Sequence, residues 1–489
     1  MTHLKNTLTQ SYSSLVQTRR FALYPLQYWL QSVQSNNEEV SRLRMVSRYF
    51  LLPAYVIANI VTLILGVIGL GVQATLFPFQ CLFAYLNDTF STNLPVEQKK
   101  LEQSESVIEP ETNTLPKNWA EILDYGRYAP SPHNMQPWLF RIESEDTVTL
   151  MYDPKRLLPG TNPTGSFMQV GFGILNETLS IAAAPLGLDL KVTYLENKLT
   201  PGEDGLRPLA TLTLVPRSSP ELLSRQLIVD RRTSRLPYDG IPVAQEVLDE
   251  LANIAKEYGH KLEFSSDQKE VKWVIRLNAN TMFYDMSKDE ARNEVASWMR
   301  FSKADAVKRK DGLAAYTMNV SGFMMWLFVH VNCFFRIPGI YSLVRHSYEQ
   351  AMSGTATVSW ISGPFETQKD WDNAGHMMAR MWLTMTKHGV YLHPFGSVIT
   401  NQTAHEEMDD HFKNEEREHD LWMLMRLGTG NVPPQAQRMP LSKLIVNGGA
   451  FFKPDLDSLA GRCCNNKGSC GRTPKSGRSE LSRLPEVPL

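Results

Sequence analysis

The 489-residue chain lacks net charge: 50 lysines and arginines stand against 51 acidic residues. With no global basic field, composition gives no reason to expect a nucleic-acid partner. Cysteine is scarce. Cys81, Cys333, Cys463, Cys464 and Cys470 form an odd set with three members in the tail, which is no disulfide framework and points to a reducing compartment. No four-ligand zinc spacing is present, so no metal is expected, and no catalytic triad is legible. The sharpest absence is local. Between Arg48 and Asp88 there is no charged side chain at all.

That uncharged run, residues 49–87, is nearly twice the ~20 apolar residues that a bilayer span needs. It begins too far from Met1 for an ordinary signal peptide. A buried core hairpin is the alternative to a membrane anchor. Gly66, Gly69 and Gly71 could close a membrane hairpin, or one tilted helix could span alone. Residues 1–48 carry Lys5, Arg19, Arg20, Arg42, Arg44 and Arg48 against Glu38 and Glu39, a bias that keeps the N-terminus cytoplasmic. A hairpin returns the following chain to that side; a single span exports it.

Residues 88–117 are polar, acidic and proline-punctuated, and read as a linker. Packed elements begin at Asn118. NWAEILDYGRYA has helical periodicity, RIESEDTVTLMYD alternates like strands, and GFGILNETLSIAAAPLG reads as a buried helix ended by Gly187. LDLKVTYL and ATLTLVP follow as strands. Beyond Arg231 the order returns: PVAQEVLDELANIAKEYG is an amphipathic helix, and AGHMMARMWLTMTKHG ends at Gly389. Aligning Gly173–Gly187 with Gly375–Gly389 leaves two helices of equal length, each followed by a short apolar strand. The pattern indicates a degenerate duplication: two α+β units, 118–230 and 231–446. Residues 461–489 are rich in Gly, Ser and Arg and are expected to be a disordered tail with inert thiols; metal binding or acyl chains near a membrane are the alternatives for Cys463, Cys464 and Cys470.

Two loops stand out. In DRRTSR, Arg231, Arg232 and Arg235 with Thr233 precede a helix; arginines fork onto phosphate oxygens and a hydroxyl can add another bond. A solvated basic turn is the plain alternative. In APSPHNMQPW, Ser131 and Asn134 offer short polar groups on a proline-stiffened backbone, suited to the edge of a planar ligand or simply to a helix-to-strand turn.

Together these loops, the G-x-L-N-x-x-x-x-A-A-x-x-L-G-L helix and the closing RLGTGNVPPQAQRMPL resemble the FMN-dependent nitroreductase superfamily over roughly Asn118–Val446. The resemblance implies mixed sheets flanked by helices. It also implies an arginine turn for the flavin phosphate and ribityl chain, and a loop reaching the ring system from a partner subunit. Here the first unit has the loop without the turn, and the second the turn without the loop. That, with DPKRLLPGTNPTGSFMQVGFGILN, resembles the tandem subgroup: a fused pseudo-dimer with one flavin site, for which an obligate homodimer is not required. Carried over, Arg231, Thr233 and Arg235 hold phosphate and ribityl oxygens, Ser131 and Asn134 meet the isoalloxazine edge, Pro394–Gly396 brings backbone near N5, and Arg438 closes the phosphate site. Pro130 and Gln136 are weaker candidates, and Asn278 and Asn280 weaker still. Replacing Ser131 and Asn134 by alanine is expected to lower flavin occupancy and leave the fold largely intact.

The implied function is a membrane-anchored oxidoreductase that passes hydride from NAD(P)H through FMN to a nitroaromatic, quinone or similar small-molecule acceptor, its catalytic body on the cytoplasmic side. The alternative is a flavin-binding or flavin-sequestering protein with a lidded site and little turnover. His133 could bond a ligand or be structural. His376, His388 and His393 read as packing or capping, and His405, His411 and His419 as a solvated helix face. Met377, Met381 and Met385 read as core. The apolar stretch Thr317–Val344 reads as a buried lid or core, with dimerisation surface or second membrane contact as alternatives.

Overall fold

A computed structural model of the chain describes residues 115–446, except 197, 203, 331–337 and 414–416. The segments expected as basic N-terminus (1–48), membrane anchor (49–87) and tail (461–489), and the expected linker up to residue 114, lie outside the described residues. Among the described residues, no helix is long and apolar enough to cross a membrane.

The first half runs α1 (Lys117–Gly126), β1 (Trp138–Ile142), β2 (Thr147–Tyr152), α2 (Ser166–Ala183), β3 (Leu188–Tyr194), β4 (Arg207–Pro216) and a short α3 (Gln226–Asp230). The second begins with α4 (Gln245–Glu257), β5 (Lys261–Ser265) and α5 (Gln268–Ser287). A long excursion follows: α6 (Asp289–Ser297), β6 (Met299–Arg300), α7 (Lys303–Arg309), β7 (Leu313–Ala314), α8 (Gly322–His330) and α9 (Pro338–Gln350). It resumes with β8 (Thr357–Ser362), α10 (Gln368–Lys387), β9 (Tyr391–Pro394), α11 (Gly396–Thr400), α12 (Gln402–His411), β10 (Leu421–Gly428) and α13 (Leu441–Leu444).

The sheets are ordered β1-β2-β4-β3 and β5-β8-β10-β9, so each half pairs its four strands as first, second, fourth, third. In each half one helix precedes the first strand and another links the second strand to the third. The ladders of both four-stranded sheets are antiparallel. The mixed character expected of them is confined to isolated parallel bridges, Phe140 to Ile445 and Thr233 to Leu392. The excursion adds a small parallel pair, β6 with β7.

Helices α2 and α10 form the centre. α2 is buried almost all round and starts where the Asn162 carboxamide oxygen accepts from the Phe167 N–H at 3.1 Å. α10 starts with a capping box in which Thr367 and Asp370 satisfy each other's amides. Both helices run out to a left-handed glycine: Gly187 has φ 72° and Gly389 φ 67°. Such a φ is nearly free for glycine and strained for other residues, so these are genuine stops.

The two main cores interlock. Val170 and Ile174 of α2 pack among Val247, Leu251, Met377 and Trp382 of the second half. Met439, Leu441, Leu444 and Ile445, grouped with the second unit on sequence, pack instead into the first core beside Trp138 and Phe140. Met377, Met381 and Met385 are core residues, as their spacing suggested. Each such side chain, fully buried, contributes roughly 1.5–3 kcal/mol through removal from water.

Candidate functional site

The loop Ala129–Trp138 is bent by three non-glycine residues at positive φ: His133 (49°), Asn134 (54°) and Gln136 (49°). Left-handed backbone at such residues costs on the order of 1–3 kcal/mol each and persists only where surroundings impose it. Those surroundings are hydrogen bonds to distant segments. The Asn134 amide donates to Gly312 O and Gln437 O, while its oxygen accepts from Arg438 Nη1 at 2.7 Å. Gln136 donates to Lys310 O at 2.9 Å and accepts from the Met439 N–H at 2.8 Å. Ser131 Oγ accepts from the Gln136 N–H, closing the loop on itself. The excursion of the second half and the closing segment thus both grip this loop.

The arginine turn meets the same place from the other side. Arg231, 7% exposed, donates through Nη2 to Tyr128 O and lies over the Trp382 ring, 4.5 Å from its centroid. Arg438 Nη2 donates to the same carbonyl. Arg231 and Arg438 therefore share Tyr128 O, and Arg438 joins Asn134 to them. Thr233 bridges to Leu392, and the Ser234 N–H donates to Leu392 O, which ties the turn to β9. Gly396, two residues beyond β9, faces open space.

Burial, with Arg438 and Arg232 nearby, pulls the Arg231 guanidinium well below its usual range. Burial likewise pulls Arg438 and Arg235 down to about 10. These are the signs of uncompensated positive charge. Arg231 Nη1 and Arg438 Nε are buried without a hydrogen-bond partner, and the described residues give Arg235 neither hydrogen bond nor ion pair. An orphaned buried donor is costly, and a cluster of them fits an anion. The space beside Arg231 is small, about 10 Å³, lined by Tyr128, Pro130, Thr178, Arg231 and Trp382. The donors are of the kind that hold an anion, while this space as it stands has room for about one water.

His133 lies deep in the same site. Burial pushes its imidazole down to about 4, with Glu294 opposing and Arg235 reinforcing, and its Nδ1 has no partner. Asn278 donates to Tyr348 Oη, which lies near Arg235, and Asn280 accepts from Arg345 Nη1.

Two participants were not legible beforehand. Tyr128 supplies the carbonyl that gathers the arginines. Arg426, fully buried, spends its donors on His393 Nδ1, Thr355 Oγ1 and Leu236 O and lies over Tyr238, fixing the arginine turn to β10. A lone arginine in the apolar strand LWMLMRLG was the available signal.

Several histidines have partners that the sequence did not name. His376, expected to pack or cap, ion-pairs with Glu177 at 2.7 Å across the central helices. His388 caps α10 as expected, its N–H donating to Thr384 O and Met385 O, and its ring also pairs with Glu250. In the helix expected to be solvated, His411 stacks on Trp273 at 3.6 Å and pairs with Glu270, and His405 bonds Leu421 O. Amphipathic spacing could not reveal these partners, since they come from other elements.

The chain shares 27% identity over 164 residues with the NAD(P)H nitroreductase acg of Mycobacterium tuberculosis, 32% of this chain and 48% of that protein. It thus spans about half the length of that relative. It shares 23% identity over 316 residues with the NAD(P)H nitroreductase PigM of Serratia, 60% of this chain and 83% of PigM. Among solved structures, NfnB of Mycobacterium smegmatis, an FMN-dependent nitroreductase in complex with NADPH, aligns at 14% identity and TM-score 0.29, over 47% of this chain and 97% of that one. An FMN-bound nitroreductase of Desulfitobacterium hafniense aligns at 9% identity and TM-score 0.27, over 45% and 95%. No protein-family model matches the chain.

Proposed function

We propose that the chain is an FMN-dependent NAD(P)H oxidoreductase of the nitroreductase type, acting on a small-molecule acceptor. The observation that carries this reading is the pair of orphaned buried arginine donors at Arg231 and Arg438, gathered beside the strained loop Ala129–Trp138 with the half-buried Arg235 on the same turn. Bound FMN would supply the hydride relay. Arg231, Arg235 and Arg438, with Thr233, would hold its anionic end; Ser131, Asn134 and the backbone at Gly396 would face its ring system. No side-chain nucleophile is required. The names borne by the mycobacterial and Serratia relatives agree with this assignment.

The matching strand orders support a fused pseudo-dimer with one cofactor per chain. The cavity at Arg231 is lined by helix residues Ile174, Thr178, Ala379, Trp382 and Leu383. The offset relating Gly173 to Gly375 carries these positions to His376, Arg380, Glu177, Ser180 and Ile181. That equivalent place is occupied by the protein's own charges: Arg380 pairs with Glu177 at 2.6 Å and with Glu221 at 2.8 Å.

A second reading, a flavin binder with little turnover, is favoured by the closure of the loop by Lys310 and Gly312. Purified full-length protein separates the two. One FMN per chain that bleaches promptly with NAD(P)H supports the enzyme; bleaching by dithionite alone supports the binder. A colourless protein that takes up no FMN overturns both. The body is assigned to the cytoplasmic side of a membrane holding residues 49–87. In sealed vesicles of cytoplasm-inside orientation, cleavage of the body by external protease would contradict that placement.

A further inference from the structure

Where α2 and α10 both begin, a second cavity of about 210 Å³ opens between the two halves. An apolar protein cavity of ~150 Å³ already admits benzene. This one shares no lining residue with the space beside Arg231. Gln169 comes from the start of α2, Glu366, Gln368 and Trp371 from the start of α10, and Lys198 and Leu199 from the β3–β4 connection. Both helix starts are capped by the protein itself, through Asn162 at α2 and through Thr367 with Asp370 at α10. A ligand here would therefore be met by side chains.

Those side chains are held in place from behind. Gln169, 1% exposed, donates through Nε2 to Tyr194 Oη at 3.1 Å, and Tyr194 donates in turn to Asp372. Gln368 Nε2 donates to Glu196 O at 3.1 Å and reaches Gln169 Oε1 only at 3.5 Å. Both carboxamides direct an N–H group to the protein, which leaves carbonyl acceptor capacity unused. The Trp371 ring is fixed by its N–H, which donates to Phe365 O at 2.7 Å. Lys198 and Glu366 both line the cavity, and among the described residues neither side chain has an ion pair. A lone anion would be repelled by Glu366 and a lone cation by Lys198. A ligand bearing both charges uses both residues, with the carbonyls and the Trp371 face adding to the ammonium side. The lining also distinguishes its two sides. The offset relating Gly173 to Gly375 carries Thr164 to Glu366 and Gln169 to Trp371, so an unsymmetrical ligand has one orientation. We propose that this cavity binds a small zwitterion, one ammonium and one carboxylate on an apolar stem, the chemistry of a free amino acid. None of these residues belongs to the flavin reading.

Calorimetric titration and melting shifts of purified full-length protein test this, with leucine as the probe. Isocaproate and isoamylamine are the controls, being leucine without its ammonium and leucine without its carboxylate. Leucine should bind and raise the melting temperature, as any ligand of the folded state does. Each single-charge analogue should bind roughly tenfold more weakly. Lys198 and Glu366 are exposed, so replacing them leaves the fold intact. Lys198→Met should lower leucine affinity roughly tenfold and remove the preference for leucine over isoamylamine. Glu366→Gln should remove the preference over isocaproate. Leucine that gives neither heat nor a melting shift overturns the proposal. So do analogues that bind as tightly as leucine, or variants that keep the native affinities and preferences. FMN content is measured on the same samples. A flavin-free protein that still binds leucine would refute the cofactor reading alone.

Discussion

Gly173 and Gly375 face each other where α2 and α10 cross. A Cβ added to Gly173 would stand 3.0 Å from the Gly375 Cα and overlap the Asp372 carbonyl oxygen. One added to Gly375 would stand 2.7 Å from the Gly173 Cα and overlap the Val170 carbonyl oxygen. Each glycine thus lies against the residue three places before the other, the reciprocal contact of a two-fold crossing. Gly173→Ala and Gly375→Ala should each force the helices apart and cost about 1–3 kcal/mol, because backbone cannot yield as a flexible side chain can. Urea unfolding checks this, with Gly396→Ala as control, where an added Cβ meets nothing within 4 Å. Unfolding midpoints equal to the native one would refute the close crossing.

Arg231→Met separates ligand binding from stability. Without a ligand, the substitution removes a buried cation repelled by Arg438 and Arg232, and leaves the Trp382 face to an apolar chain. Thermal stability of the ligand-free protein should hold or rise. FMN affinity should fall roughly 10–100-fold, the loss of one or two charge-assisted hydrogen bonds at about 1.5–3 kcal/mol. Melting curves and fluorescence titration with FMN measure the two quantities. A destabilised variant with native FMN affinity would make Arg231 a structural residue.

Asn134→Ala is a test whose meaning the structure changes. Its side chain joins Gly312, Gln437 and Arg438 to the site loop, and removing it leaves two carbonyls and a guanidinium short of partners. A cost of roughly 1–3 kcal/mol in stability should therefore accompany any loss of flavin, within a fold expected to stay largely intact. Ser131→Ala should be milder, since it removes one acceptor from the Gln136 N–H. Denaturant midpoints of the two single variants distinguish these costs, and equal stability of Asn134→Ala and native protein would count against the described loop.

Periodicity and glycine punctuation carried much of the fold. The equal lengths from Gly173 to Gly187 and from Gly375 to Gly389 signalled matching helices, because left-handed stops are written locally as glycine. The first-second-fourth-third strand order was not legible, since antiparallel pairing depends on partners far apart in sequence. The site divided likewise. Arg231, Asn134 and Arg438 were visible as residue types in turns. That Asn134 bonds Gly312 and Arg438 could not be foreseen, because those contacts cross 178 and 304 residues. Nor could His376, whose carboxylate partner Glu177 lies on the other central helix.

His376 gives the central crossing a dependence on pH. Burial opposes its charge, but Asp372 and Glu177 outweigh burial and raise its pKa to about 10, from an ordinary value near 6.5. A histidine whose folded pKa is raised contributes stability fully below about 6.5, and that contribution is lost as pH climbs toward 10. His133 and His260 act in the opposite sense. Burial lowers both to about 4, so their contribution is present above about 6.5 and is lost as pH falls toward 4. The native protein should therefore lose stability on both sides of neutrality. In His376→Gln the alkaline slope should flatten while the acid slope remains, and the variant should be less stable than native at pH 7, where Glu177 and Asp372 lose a shared cation. Melting temperatures between pH 4 and pH 10 measure both limbs. An alkaline slope unchanged by the substitution would mean that His376 does not carry its charge between those carboxylates.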